Sequence, residues 1–346
     1  MNKKIGLLVG LITGSALLLF LLDIASGSVY IPATKIVRIL TGMEEGEASL
    51  RYILFHFRLP RAITAAAAGA ALSISGLFMQ TLFRNPLAGP SVLGITAGAN
   101  LGVALTVMAL GSGAGAGFAA GIPLSGRLLV AASSVAGAAV VLLIILAVAR
   151  LVGSITVVLL FGIMFGYVAN SLVSIFIHFS SAERVQSYIQ WSFGSFDAAV
   201  WSDIRILVPV VAAVFLCAVF LAKPLNAFLL GEEYAGSMGV SVRSTRTLLV
   251  LVAALSAGVV HAFCGPVTFL GVAVPHLARG VLGTSDHGPL IPTVAAAGAS
   301  TALAADILSH LPGGPSVLPL NAVTALIGAP VVVWVLVRSR SGRYSV

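Results

Sequence analysis

Residue types able to do chemistry are scarce in this chain, and their spacing suits little of it. Six histidines stand at positions 56, 178, 261, 276, 287 and 310, with no His-Glu-x-x-His pair or other metal-ligand spacing among them. Each reads as a satisfied or interfacial imidazole. The four lysines, Lys3, Lys4, Lys35 and Lys223, all lack a preceding glycine, so no Gly-Lys-Ser/Thr phosphate loop exists. Cys217 and Cys264 lie in apolar runs and read as small hydrophobes. Asp23, Asp306 and Arg279 fall toward the ends of apolar runs, whose centres are almost free of ionisable groups. No nucleophile-base pair, metal set or nucleotide loop is left, and an intramembrane enzyme is excluded.

The elements that must position these groups follow from composition. The 346 residues are 59% hydrophobic and 9% charged, with a mean hydropathy of +1.09, whereas a soluble globule carries roughly 25% charged residues. Charges gather where the apolar runs stop, and each run is near the ~20 residues that cross a bilayer as a helix. This predicts an all-α integral membrane protein with ten transmembrane helices, at about 5–26, 62–83, 92–110, 128–149, 154–179, 204–222, 247–264, 266–283, 289–309 and 318–337. The first run is read as a retained span, since it is too long for the apolar core of a signal peptide. With Lys3 and Lys4 inside, an even count of spans puts both termini in the cytoplasm. Eleven of the 19 Lys and Arg then lie in inner segments, and five of the other eight share one long first loop, where the bias is weaker. The basic balance therefore reports membrane orientation, and no nucleic-acid partner is implied. A proton- or ion-coupled transporter usually places carboxylates mid-membrane. Their absence counts against an ion-coupled secondary transporter and points to a permease that draws energy from a partner ATPase.

Small residues supply the close approach that helix association in lipid needs. Gly94, Gly98 and Gly102 fall four apart, Gly162 and Gly166 repeat the spacing, and Ala62, Ala65, Ala66 and Gly69 form a similar face. Pro275 and Pro330 predict kinks in their helices. Three segments lie outside the bilayer: 27–61, with a short helix from Pro32 to Leu40; 180–203, whose aromatics suit an interfacial helix; and the inner loop 223–246. Gly111 to Gly121 reads as a flexible linker.

Several motifs then run in order along the chain: Arg58-Leu59-Pro60-Arg61, Gly69 to Gly76, Gln80 to Ala88, Leu230 to Val240, Phe269-Leu270-Gly271, Val274-Pro275-His276, Ala304-Ala305-Asp306 and Gly328-Ala329-Pro330. Together they resemble the permease family of iron-siderophore, haem and cobalamin importers, the FecCD type of type II ABC importers, over essentially the whole chain. The resemblance implies a single permease domain, 1–346, in the bacterial cytoplasmic membrane. It would act as a homodimer with a translocation path at the dimer axis, two cytoplasmic ABC ATPase subunits and an external substrate-binding protein. ATP and Mg would bind the ATPase, this chain would hold no cofactor of its own, and the cargo would be a metal chelate. Iron-siderophore is the first expectation, then haem or cobalamin.

The same resemblance distributes roles. In the coupling segment 223–246, Gly231 and Gly239 bracket a short helix. Glu232 and Glu233 sit at its positive N-terminal end, Ala235 leaves room for close contact, and Met238 completes the ATPase-docking surface. Arg58 and Arg61 would dock the binding protein, with Pro60 presenting two guanidinium forks to water, each suited to a carboxylate. His310 stands where the cobalamin branch has a third docking arginine. Ser154, Ile155 and Thr156 would form the cytoplasmic gate, on a path lined by the fifth span, Gln190 to Phe196 and the tenth span.

Overall fold

The computed structural model describes residues 3–27, 31–41, 48–109, 124–152, 155–310 and 317–339. Its ten main helices are α1 (Lys3–Ala25), α2 (Leu59–Phe83), α3 (Ile95–Ala109), α4 (Leu124–Val152), α5 (Ile155–Phe179), α6 (Trp201–Phe220), α7 (Val242–Cys264), α8 (Leu270–Leu282), α9 (His287–Ser309) and α10 (Leu320–Ser339). Each overlaps one apolar run anticipated from the sequence. Seven are long and apolar enough to cross a membrane, counting α2 with the helical segment before it, while α3, α8 and α10 contain shorter apolar helices. The fold is all-α, and no strand occurs among the described residues.

The bundle is organised around α2, which packs against α9, α7, α8 and α6 and buries nearly every residue from Pro60 to Leu82. Its sequence explains this place. Pro60 follows directly on the wide turn Leu54–Arg58, where its missing N–H breaks the regular helical ladder. Alanines then keep the helix thin, and two glycines remove the last obstacle to backbone contact. A Cβ on Gly69 would lie 2.2 Å from the Gly298 carbonyl of α9, and one on Gly76 would lie 1.7 Å from the Gly271 carbonyl of α8. The expected Gly98 and Gly102 face packs α3 on α4, against Gly137 and Ser133. Gly94 is not part of that helical face. It takes a left-handed conformation, φ +74°, and ends the short turn Pro90–Leu93.

The three segments outside the apolar runs take definite form. The first loop holds a helix at Ala33–Leu40, but its second half, Ala48–Ile53, runs through one wide turn at Leu54–Arg58 straight into α2. That turn is of the π type, an insertion that re-aims side chains within an otherwise continuous helix. The segment 180–203 carries the helix Ala182–Ser192, whose Tyr188 and Trp191 are buried against α3 and its neighbours while Phe193 beyond it is exposed. The coupling segment is mostly helical, as Ala222–Leu229 and Glu232–Ser237. The helices α8 and α10 continue through Pro275 and Pro330. The Gly111 to Gly121 linker lies outside the described residues.

Candidate functional site

Polar chemistry gathers at the two ends of α2. At the first end, the C-terminus of α1 leaves carbonyls with no helical partner, and two arginines supply the donors. Arg58 Nη1 donates to the Ile24 and Ala25 carbonyls, each at 3.0 Å. Arg61 Nη2 donates to the carbonyls of Asp23 and Ser26 at 2.9 and 3.1 Å. The rest of the Arg61 guanidinium meets carboxylates from three elements. Nε lies 3.0 Å from Asp306 of α9, Nη2 3.7 Å from the Asp23 side chain of α1, and Nη1 3.7 Å from Asp197 in the segment before α6. A buried charge costs several kcal/mol unless paired, so these contacts are what allow Arg61 indoors.

His310 follows α9 directly and closes the cluster. Its Nε2 lies 3.0 Å from both Asp197 oxygens, and its Nδ1 lies 2.8 Å from the Asp306 carbonyl. Both ring nitrogens thus face acceptors, which only the imidazolium, with two N–H donors, can satisfy. Burial pulls the His310 pKa down, but the hydrogen bond and charge of Asp197, with Asp306 behind it, outweigh this and hold it above the usual histidine range. Burial pushes the Asp197 carboxyl up, yet the hydrogen bond and charge of His310, with Arg61, hold it below the ordinary carboxylate range.

This geometry corrects one expectation. Arg58 and Arg61 are 3% and 5% exposed, so Pro60 does not present their forks to water. They face the end of α1 because its carbonyls and Asp23, with Asp306, need donors. Sequence reasoning missed Asp23, Asp306 and Asp197 as partners. The available signal was two carboxylates near the ends of apolar runs, which had to be paired if buried.

At the other end of α2, side chains latch the coupling segment to the bundle. Thr81 Oγ1 and His287 Nε2 are 2.9 Å apart, and the Asn226 amide bridges the N-terminus of α9, accepting from the His287 N–H at 2.9 Å and donating to Asp286 at 2.8 Å. Arg279 donates to Gln80 Oε1 at 2.6 Å. The helix Glu232–Ser237 is flanked by Gly231 at φ +113° and Gly239 at φ +85°. Both are backbone conformations that glycine adopts without steric cost. Glu232 forms an ion pair with Arg246 of α7, whereas Glu233 is exposed.

Ala235 is 0% exposed, so its small side chain serves close packing within this chain and is no contact surface for a partner. Three large apolar side chains of the segment are exposed instead. Leu230, Tyr234 and Met238, spaced four apart, are 62%, 52% and 60% exposed. Of these only Met238 was anticipated. Tyr234 was legible only once the helix phase was known, and Leu230 only once the turn before the helix was known.

The gate expectation is partly outside view. Ser154 lies outside the described residues, Ile155 begins α5, and Thr156 is exposed in its first turn. The structure does not bring Thr156 together with either cluster. The helix it opens leaves a long apolar face uncovered, with Leu160, Met164, Tyr167, Val168, Ile175 and Phe179 all exposed. Among the described residues no group of three or more His, Cys, Asp or Glu is arranged to hold a metal ion.

Comparison with known proteins places this geometry. The model of the FecCD transport family matches residues 15–338. The vitamin B12 import system permease protein BtuC of Klebsiella pneumoniae subsp. pneumoniae is 36% identical over 288 residues, which is 83% of each chain. That of Salmonella typhi is 34% identical over 287 residues, 83% of this chain and 84% of the relative. A solved inward-facing conformation of a metal-chelate type ABC transporter superposes with a TM-score of 0.82 over 95% of this chain and 98% of the other, at 23% identity, a likeness of fold.

Proposed function

The chain belongs to the FecCD transport family, and from that premise we propose that it imports a corrinoid metal chelate as a homodimer coupled to two cytoplasmic ATPase subunits. It is a multi-pass membrane permease of an ATP-binding-cassette importer, and ATP hydrolysis belongs to a separate subunit. The observation that carries the cargo reading is the 36% identity, over 83% of both chains, to a vitamin B12 import permease. Ferric siderophore and haem are the competing cargoes. Transport into vesicles holding the reconstituted permease and ATPase, driven by the cognate external binding protein, tests the reading. Labelled cobalamin should accumulate with ATP, and accumulation of ferric siderophore or haem in its place would overturn it.

The surfaces support this assembly. The exposed apolar face of α5, from Leu160 to Phe179, suits a second copy across a dimer axis. The exposed stripe of Leu230, Tyr234 and Met238 suits an apolar slot on the ATPase, and Glu233 beside it adds a charge. This puts the coupling end in the cytoplasm, together with both termini, in agreement with the excess of basic residues in the segments on that side. The arginine-aspartate end then faces outward. The binding protein would reach it through the half-exposed Asp197, with the mostly buried His310, Arg58 and Arg61 shaping that surface from beneath.

A further inference from the structure

Where α7 begins, Arg243 and Arg246 stand about one turn apart and line an open crevice of about 420 Å³, solvent included, between α4, α5 and α7. The opposite wall is apolar, built from Ile145 and Ala149 of α4 and Val158 of α5. No carboxylate lines this space. Glu232 pairs with Arg246 from the coupling helix, and among the described residues no acidic side chain pairs with Arg243, which is exposed. Thr247 also reaches the crevice, but its hydroxyl donates to the Arg243 carbonyl at 3.0 Å and is left only as an acceptor. The polar donors are therefore guanidinium groups, collected at one edge.

The depth is as telling as the charge. Arg243 lies in the first turn of α7, where an apolar spanning helix starts, and the apolar wall continues from there into the bundle side of that helix. A ligand matching this gradient has an anionic head and a hydrocarbon tail in sequence. A soluble anion would use the rim alone. We propose that this crevice binds the phosphate headgroup of an anionic membrane phospholipid, with an acyl chain laid along Ile145, Ala149 and Val158. Basic crevices between helices at a membrane boundary recognise anionic lipid heads in this way. The bound phosphate sits beside the guanidinium that holds Glu232, so the lipid contacts the base of the coupling helix.

Native mass spectrometry of the purified permease with its ATPase, in detergent supplemented with phosphatidylglycerol or phosphatidylethanolamine, tests the site. The expected result is one phosphatidylglycerol retained per chain in preference to phosphatidylethanolamine. Arg243→Gln should lower retention about fivefold, the effect of one basic residue near an anionic surface. Ala149→Phe should lower it too while leaving every charge in place, and Arg51→Gln at the other end of the molecule should leave it unchanged. Inorganic phosphate should fail to displace the lipid. Retention that is unaltered in both crevice variants overturns the proposal. Displacement by inorganic phosphate at matched concentration makes it a free-anion site. Shielding of Arg243→Cys from a water-soluble thiol reagent by the ATPase in lipid-free detergent makes it a protein interface, and either result overturns the lipid assignment.

Discussion

The two ends of α2 solve opposite problems with the same helix. At the Arg58 and Arg61 end, charges turn inward and apolar helix ends are stitched together by donors to α1 carbonyls and by carboxylates from α1, α9 and the segment before α6. At the Gln80 and Thr81 end, polar side chains latch Ala222–Leu229 to α9, and the next helix turns an apolar stripe outward. Buried charge resists rearrangement, because separating the partners leaves an ion unpaired. Exposed apolar surface has little to lose when a partner covers it. The difference teaches where rigidity and where docking are built.

The comparison breaks most visibly at Arg61. Arg61→Met should cost about 3–5 kcal/mol, because Asp306 and Asp23 lose their buried cation. A large drop in melting temperature and in monodisperse yield of the purified chain is expected, and wild-type melting would show the cluster holds nothing. Gly76→Ala comes next. Its Cβ meets the Gly271 carbonyl of α8, so α2 and α8 must move apart at about 1–3 kcal/mol, read by the same melting curve.

At the coupling end the expected sign differs. Tyr234→Ala with Met238→Ala should leave melting within about 0.5 kcal/mol of wild type. Co-purification of the ATPase should fall about tenfold, an effect of ~1.4 kcal/mol. Ala235→Trp should instead damage both, since that side chain points inward. If the double variant unfolds the chain, the stripe is part of the core and the contrast between the ends fails.

The smallest effect concerns pH. The His310 pKa is held above the usual histidine range. Its contact with Asp197 therefore contributes in full below about pH 6.5 and fades as pH rises through the raised value. Asp197 itself is held low, so its share is lost only under acid, as pH falls through that depressed value. The pair is partly exposed and should be worth less than ~1 kcal/mol. A melting-temperature profile against pH should lose its alkaline decline in His310→Gln, and an unchanged profile would place the titration elsewhere.

The seven long spanning helices were legible because a helix in lipid must be apolar for its whole length, and hydropathy measures that directly. The glycine faces at Gly69, Gly98 and Gly102 were legible for the same kind of reason, since close packing requires small residues at a fixed spacing. The destination of Arg58 and Arg61 was not. An arginine at a membrane boundary reads alike whether it faces water or the frayed end of α1. Only the fold brings Asp23 and Asp306 to it from distant parts of the chain. Ala235 was expected to leave room for close contact with the ATPase, and nothing in a six-residue polar helix marks that its side chain turns into this chain instead. Within that helix the buried Ala235 and the exposed Tyr234 show the phase.

The central claim is that the two ends face opposite sides of the membrane and that the apolar stripe meets the ATPase. In a chain with Cys217 and Cys264 replaced by alanine, single cysteines at exposed Gln186, on the helix Ala182–Ser192, and at exposed Met238 can be labelled with a membrane-impermeant thiol reagent. Gln186→Cys should be labelled only in right-side-out vesicles and Met238→Cys only in inside-out vesicles, with Met238→Cys protected when the ATPase is bound. Labelling of both from one side, or of Met238→Cys equally with and without the ATPase, would contradict it.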